Sequence, residues 1–501
     1  MQLLNTSFRS TFFTLVLLFS IPLIWAQSGP QRHRIEVAVK NYTGEIACMA
    51  YYYGDKQYIT DTVPITKGAF VFEADTALPG GMYLIFFPPQ NDYFEVLVDQ
   101  DQEFTLETDT LDFVANMKVK GSEENDLFYQ DLRYLASKRK ESQRLQQQVK
   151  AATDAEVQAQ LKDAQRLLSE EVMTYRQQFV EAHPDFLYAK MIQGMQDPEV
   201  PAPPKDENGQ VLDSTFAYHY YKSHFFDGLD LADERLLRTS VLFNRVQFYM
   251  DRLTYKYQPD SLIQSIDYIL SLMKESEANF RFFLSHFYNT YGKSPIMGMD
   301  AVPVHLVWKY YQHPEVTPWI SDTLRQEMIK QSAGKARVLV GNEAPDMRVK
   351  DQQGQYQTLS QIDAEWIVVY FWSYDCSFCK KITPKLSEAY QKYELVDKGV
   401  KLITVNIDGD VEEWKEKLTY YNLDFEGAIH TEDIRRQSGA TISYDVLSTP
   451  RMFILDREKV IRAKQIGVPQ MLQILSHELD FELEEVDQVQ QDAADLEHDD
   501  H

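Results

Sequence analysis

Hydrophobic and polar positions change rhythm twice along this chain of 501 residues. From about Arg34 to Leu111 the apolar positions come in short runs: RIEVAV, EIACMAYYY, AFVFEA, GMYLIFF, YFEVLV and EFTLET. Tyr53-Gly54-Asp55-Lys56 and Pro79-Gly80-Gly81 supply turns between them. Phe70, Phe72 and Ala74 alternate with Val71 and Glu73, as expected of half-buried antiparallel strands. The pattern predicts an all-β sandwich over residues 28–118.

Helical spacing follows. Ser122 can cap a helix start, and Glu123, Glu124 and Asp126 suit its positive end. Leu127, Leu132 and Leu135, then Leu161, Leu167 and Leu168, form an irregular stripe rather than a sustained heptad. Residues 125–182 therefore read as a long helical hairpin. Pro198, Pro201, Pro203 and Pro204 force a loop over residues 197–208, because proline sustains neither a helix interior nor a central strand. Aromatic helices around 216–226 and 280–291 come next; their rings suit packing, or a groove that holds a substrate peptide. Residues 121–335 are expected to form a central all-α domain.

After Val340 the rhythm changes again, to compact apolar runs alternating with helical patterns. WIVVYFW at 366–372, KLITVNI at 401–407 and RMFILD at 451–456 suit strands covered on both faces by helices. A C-terminal α/β domain is expected over 338–480, and the acidic residues 482–501 read as a solvated, disordered tail. The overall expectation is a multidomain chain, and its 44% hydrophobic content can fill several cores.

Charge and the N-terminus narrow the setting. A formal net charge of -26 would repel a phosphate backbone, so nucleic acid is not an expected partner. Arg9 precedes an apolar run from Phe12 to Trp25, with a plausible cleavage point after Ala26. Residues 1–26 thus read as a secretory signal peptide, which puts the mature chain across the inner membrane, in the periplasm, soluble or peripherally associated. An uncleaved anchor is the rival reading; the run is short for a span of about 20 residues and contains Pro22. No cysteine follows the cleavage point, which argues against a lipid anchor.

Three cysteines, Cys48, Cys376 and Cys379, are too few for a disulfide-stapled scaffold. Ile46, Cys48 and Ala50 share one strand face, so Cys48 reads as a small core residue, with a redox partner for Cys376 as the minor reading. The sequence Cys376-Ser377-Phe378-Cys379 follows an apolar strand directly and opens a helical pattern of Ile382, Leu386, Tyr390 and Tyr393. Residues three apart at a helix start lie close enough for a disulfide. Amides at that start favour a thiolate on Cys376, making it the nucleophile, while Cys379 one turn deeper would resolve the mixed disulfide. Half a zinc site is the structural alternative, but the other ligands are missing, and neither a metal nor a cofactor is expected. An inert disulfide is the second alternative.

GNEAPD at 341–346, VVYFWSYDCSFCKK at 368–381 and YDVLSTPRMFILD at 444–456 together resemble the secreted thioredoxins related to TlpA and ResA, over residues 338–480. The resemblance implies a thioredoxin fold, protein disulfide substrates and a membrane-bound electron donor. It implies a cis peptide before Pro450, which would leave the backbone of Thr449 open to an extended substrate beside Ser377 and Phe378. The long interval before Pro450 fits an inserted helix at 410–421. Departures matter too. Tyr370 stands where the family's buried aspartate is expected, and Ile382 where a glutamate is often found, so the handling of protons differs here. Asp375 and the neighbouring Trp372 are expected to modulate the pair. An anion at Asp375 disfavours the thiolate and would make the couple more reducing, while Lys380 and Lys381 oppose it. Peroxidase chemistry is not expected, because VVYFWSYDC lacks the preceding proline and threonine or serine of peroxiredoxins. The leading expectation is an envelope thiol-disulfide oxidoreductase, most simply a reductase; the alternative is a non-enzymatic binding or scaffold protein of the envelope.

Overall fold

The computed structural model describes residues 32–484; the predicted signal peptide and the tail from 485 onward lie outside the described residues. Among the described residues the first part is made of eight strands: β1 (His33–Lys40), β2 (Ile46–Tyr53), β3 (Lys56–Pro64), β4 (Ala69–Ala74), β5 (Gly81–Phe87), β6 (Asp92–Val98), β7 (Glu103–Asp109) and β8 (Lys118–Lys120). They form two four-stranded sheets, ordered β4-β1-β7-β8 and β3-β2-β5-β6. Alternation along β1 buries Ile35, Val37 and Val39. Phe70 of β4 meets Phe87 of β5 with ring centroids 6.0 Å apart, which joins the two sheets as a sandwich. Strand β3 was not expected from the sequence. Its residues are exposed or half-buried throughout, so no apolar alternation marks it.

The hairpin consists of helices Glu123–Ala151 and Ala155–Ala182. Its start is capped as the sequence predicts: the Ser122 hydroxyl accepts from the Asn125 N–H at 3.3 Å. Tyr134 stacks on Tyr175 at 4.1 Å and fastens the two helices together.

Five of the helices that follow are Phe216–Ser223, Ser240–Arg252, Pro259–Leu272, Glu277–Gly292 and Asp322–Arg337. Their aromatic residues largely meet one another, as in the Phe225–Phe248 stack at 5.5 Å and the Phe283–Phe287 contact at 6.0 Å. Packing accounts for most of these rings. By backbone contacts the described chain divides into two compact units. The sandwich and most of the hairpin make up the first, and the later helices with the α/β domain make up the second. Helices of the stretch 121–335 occur in both units.

The C-terminal part is an α/β layer on a seven-stranded sheet, ordered β10-β9-β13-β12-β11-β14-β15. Its strands are β9 (Arg348–Asp351), β10 (Tyr356–Thr358), β11 (Trp366–Trp372), β12 (Val400–Asn406), β13 (Ala428–Glu432), β14 (Arg451–Asp456) and β15 (Ile461–Lys464). The central strand β11 runs parallel to β12 and antiparallel to β14. Its period of two feeds two separate cores: Val368, Tyr370 and Trp372 face one, and Ile367, Val369 and Phe371 the other. Burial on both faces explains why β11 reads as one continuous apolar run. Order extends slightly past the expected end of the domain, because Leu483 packs on the core and Glu484 pairs with Lys392 at 3.2 Å.

Candidate active site

β11 ends at Trp372, and four residues later Cys376 caps the helix Ser377–Lys392. The cap is made by sulfur: Cys376 Sγ accepts from the Cys379 N–H at 3.2 Å. That amide is one of the donors which a helix start leaves without an intrahelical partner. The turn before it is braced by Ser373, whose carbonyl accepts from the Cys376 N–H at 3.2 Å. All three cysteines are free thiols, so the structure shows the dithiol form.

The dithiol and the Thr449-Pro450 segment meet at the Cys376 sulfur. The peptide between Thr449 and Pro450 is cis, and the Thr449 carbonyl accepts from the Cys376 thiol at 3.3 Å. Thus 73 residues of sequence separation close to a single hydrogen bond. Burial raises the Cys376 thiol, but hydrogen bonding to Cys379, first through its side chain and then through its amide, outweighs it; the thiol lies below its ordinary value. Cys379 goes the other way, pushed up to about 12 by burial first and by the neighbouring Cys376 second. One sulfur is partly exposed and ready to ionise, and the other is buried at 1% exposure and holds its proton.

The remaining expected residues fall in three places. Ser377 and Phe378 lie at the surface on the first turn, with Phe378 49% exposed. Asp375 is also exposed, with Lys380 Nζ 3.9 Å from its carboxylate, so its field at the sulfur is shared with a cation and screened by water. Trp372 is fully buried, between Tyr370 at 6.4 Å and Tyr421 at 6.1 Å. It belongs to the core below the pair.

Sequence reasoning placed a helix at 410–421 and missed what fastens it. The helix Val411–Tyr420 is capped by Asp410, which accepts from the amides of Glu412 and Glu413. Tyr374, two residues before Cys376, accepts from the Asp410 N–H at 2.7 Å and donates to Glu413 at 3.1 Å. Gly409 permits this approach: its φ is +92°, and a Cβ there would fall 2.3 Å from the Tyr374 hydroxyl. The only hint in the sequence is the glycine directly before the Asp410 cap.

Among the described residues, no group of three or more His, Cys, Asp or Glu is placed to hold a metal ion. The sheet order, the dithiol at a helix start and the facing cis proline define a thioredoxin-like redox domain. Comparison with known proteins carries this further. The family described as AhpC/TSA matches residues 340–464, and a domain of unknown function (DUF4369) matches 33–128. Thiol-disulfide oxidoreductase ResA of Bacillus cereus is 30% identical over 137 residues, which are 27% of this chain and 74% of that protein. ResA of Bacillus subtilis is 27% identical over 131 residues, 26% of this chain and 69% of the relative. A solved domain of a possible thiol-disulfide isomerase from Cytophaga hutchinsonii is 30% identical, with a TM-score of 0.26, covering 28% of this chain and 94% of that domain. The chain belongs to the ResA-like family of thiol-disulfide oxidoreductases.

Proposed function

We propose that the protein exchanges disulfides with protein substrates outside the cytoplasm, with Cys376 attacking and Cys379 resolving. The observation that carries this reading is the asymmetry of the pair. A partly exposed thiol below its ordinary value stands beside Thr449 and Pro450, and a buried thiol at about 12 stands one turn deeper. Thiolates attack disulfides and thiols do not, so the asymmetry supports this order of steps. Cys376 bonds to a substrate sulfur, and Cys379 then displaces that substrate and closes the disulfide. Ser377, Phe378, Thr449 and Pro450 flank the attacking sulfur and would receive an extended substrate segment.

The direction is reducing, with electrons returned to the pair by a membrane-bound donor, as the family resemblance implies. Residues 1–26 support export to the periplasm. Among the described residues no helix is long and apolar enough to cross a membrane. Replacing Cys379 with Ala tests the proposal, because it removes the resolving thiol and leaves the attacking one. Envelope proteins should accumulate on Cys376 as mixed disulfides, released by dithiothreitol and identified by mass spectrometry. A variant that carries no such adducts would contradict disulfide exchange with proteins.

A further inference from the structure

Cys379 must ionise to close the disulfide, yet it lies in an apolar core where a bare anion is costly. On the sheet face beneath it, β11 presents Val368, Tyr370 and Trp372, none of which is a carboxylate. Tyr370 is fully buried, and its hydroxyl lies 3.0 Å from the Thr383 hydroxyl, itself fully buried one turn along the redox helix from Cys379. Tyr370 and Cys379 belong to the same buried core, close enough for Cys379 to help raise the Tyr370 phenol. Three groups from one strand and one helix thus form a short line: Thr383, Tyr370, Cys379.

We infer that Tyr370 is a catalytic hydroxyl, whose O–H donates to the Cys379 sulfur as it ionises, with Thr383 holding that hydroxyl in line. This rests on the assignment of Cys379 as the resolving thiol. Burial first, and the nearby Cys379 second, push Tyr370 well above the ordinary phenol value, so it keeps its proton and acts only as a donor. Thr383 donates to the Tyr370 oxygen, which leaves the phenol proton free to point at sulfur. The backbone of Ser373 and the hydroxyl of Thr449 add to the same stabilisation. The other titratable groups facing Cys379 are Cys376 on its own helix and Tyr421 beyond the inserted helix. Both donors sit on rigid elements, so the charge is met by dipoles already in place.

The chromogenic disulfide DTNB separates the two steps in the reduced full-length chain. Cys376 attacks first, releasing one nitrothiobenzoate and leaving the other bound to its sulfur. Cys379 then loses its proton to buffer and attacks Cys376. The bond between the two cysteines forms, the bond to the reagent breaks, and the second nitrothiobenzoate leaves with the electron pair. The cysteines are oxidised and the reagent is reduced.

Tyr370→Phe should leave the first phase unchanged and slow the second by roughly tenfold, with its pH midpoint moved up by about one unit. A packing role would lower thermal stability without moving that midpoint. Thr383→Val, which keeps the branched shape, should slow the second phase by about threefold, and carries the test should Tyr370→Phe not fold. A folded variant whose second phase keeps its rate and pH midpoint would overturn the role of Tyr370. Absence of the first phase in the unaltered protein would instead overturn the assignment of Cys376.

Discussion

Cysteine occurs in two β-rich regions of this molecule and behaves differently in each. In the sandwich, Cys48 sits mid-strand on β2, opposite Phe86 of β5, 5% exposed and accepting from the Thr62 hydroxyl at 3.5 Å. The amides around it belong to the sheet ladder, so no backbone N–H is left over for its sulfur. In the α/β domain Cys376 stands where strand gives way to helix, and its sulfur receives an amide that the helix leaves over. The same atom is a packing group in one place and, on the proposed function, a nucleophile in the other. Backbone placement, more than local polarity, makes the difference.

The largest test of this contrast is Cys376→Ser, which should reduce DTNB or glutathione exchange to background while the protein stays folded. Retained exchange would mean that another thiol carries the chemistry. Next in size is the difference within the pair. With a thiol at about 12, Cys379 is only about one part in 10⁴ thiolate at pH 8, a fraction that rises tenfold per pH unit until pH approaches 12. Cys376, held below the ordinary thiol value, should be alkylated by iodoacetamide at neutral pH. Peptide mass spectrometry over a pH series would show Cys376 labelled first and Cys379 labelled late. Equal labelling rates would remove the asymmetry on which the order of steps depends.

Cys48→Ala sharpens the other side of the contrast. Exchange rates should be unchanged, while urea unfolding of the sandwich should lose about 1 kcal/mol for the buried atoms removed. The smallest effect is expected at Asp375→Asn. Removing the anion favours the thiolate and hence the reduced pair, so the potential should become more oxidising, by less than about 20 mV given exposure and the opposing Lys380. Glutathione equilibration of both proteins measures it, and a shift toward reducing values would contradict the sign.

What the sequence revealed follows from how each element is buried. β11, β12 and β14 are covered on both faces, so their apolar runs stand out, and RMFILD coincides with β14. β3 is mostly exposed and left no pattern to find. The dithiol was legible because spacing alone puts two cysteines on one turn. Tyr370 read only as a missing carboxylate. Its partner Thr383 lies 13 residues away across the strand-to-helix junction, and that contact exists only once the helix has docked. Local periodicity specifies helices without specifying which neighbours they pack against, so the assignment of helices to the two units was not legible in the sequence.

The central claim is that Cys376 and Cys379 cycle together while Cys48 stays apart. Equilibrating the full chain across glutathione redox buffers, quenching with acid and counting alkylated cysteines by peptide mass tests it directly. The account predicts that Cys376 and Cys379 lose their label together at one glutathione ratio, linked by a single disulfide, with Cys48 unchanged throughout. A pair that stays closed or open at every ratio, or a Cys48 that follows it, would contradict the account.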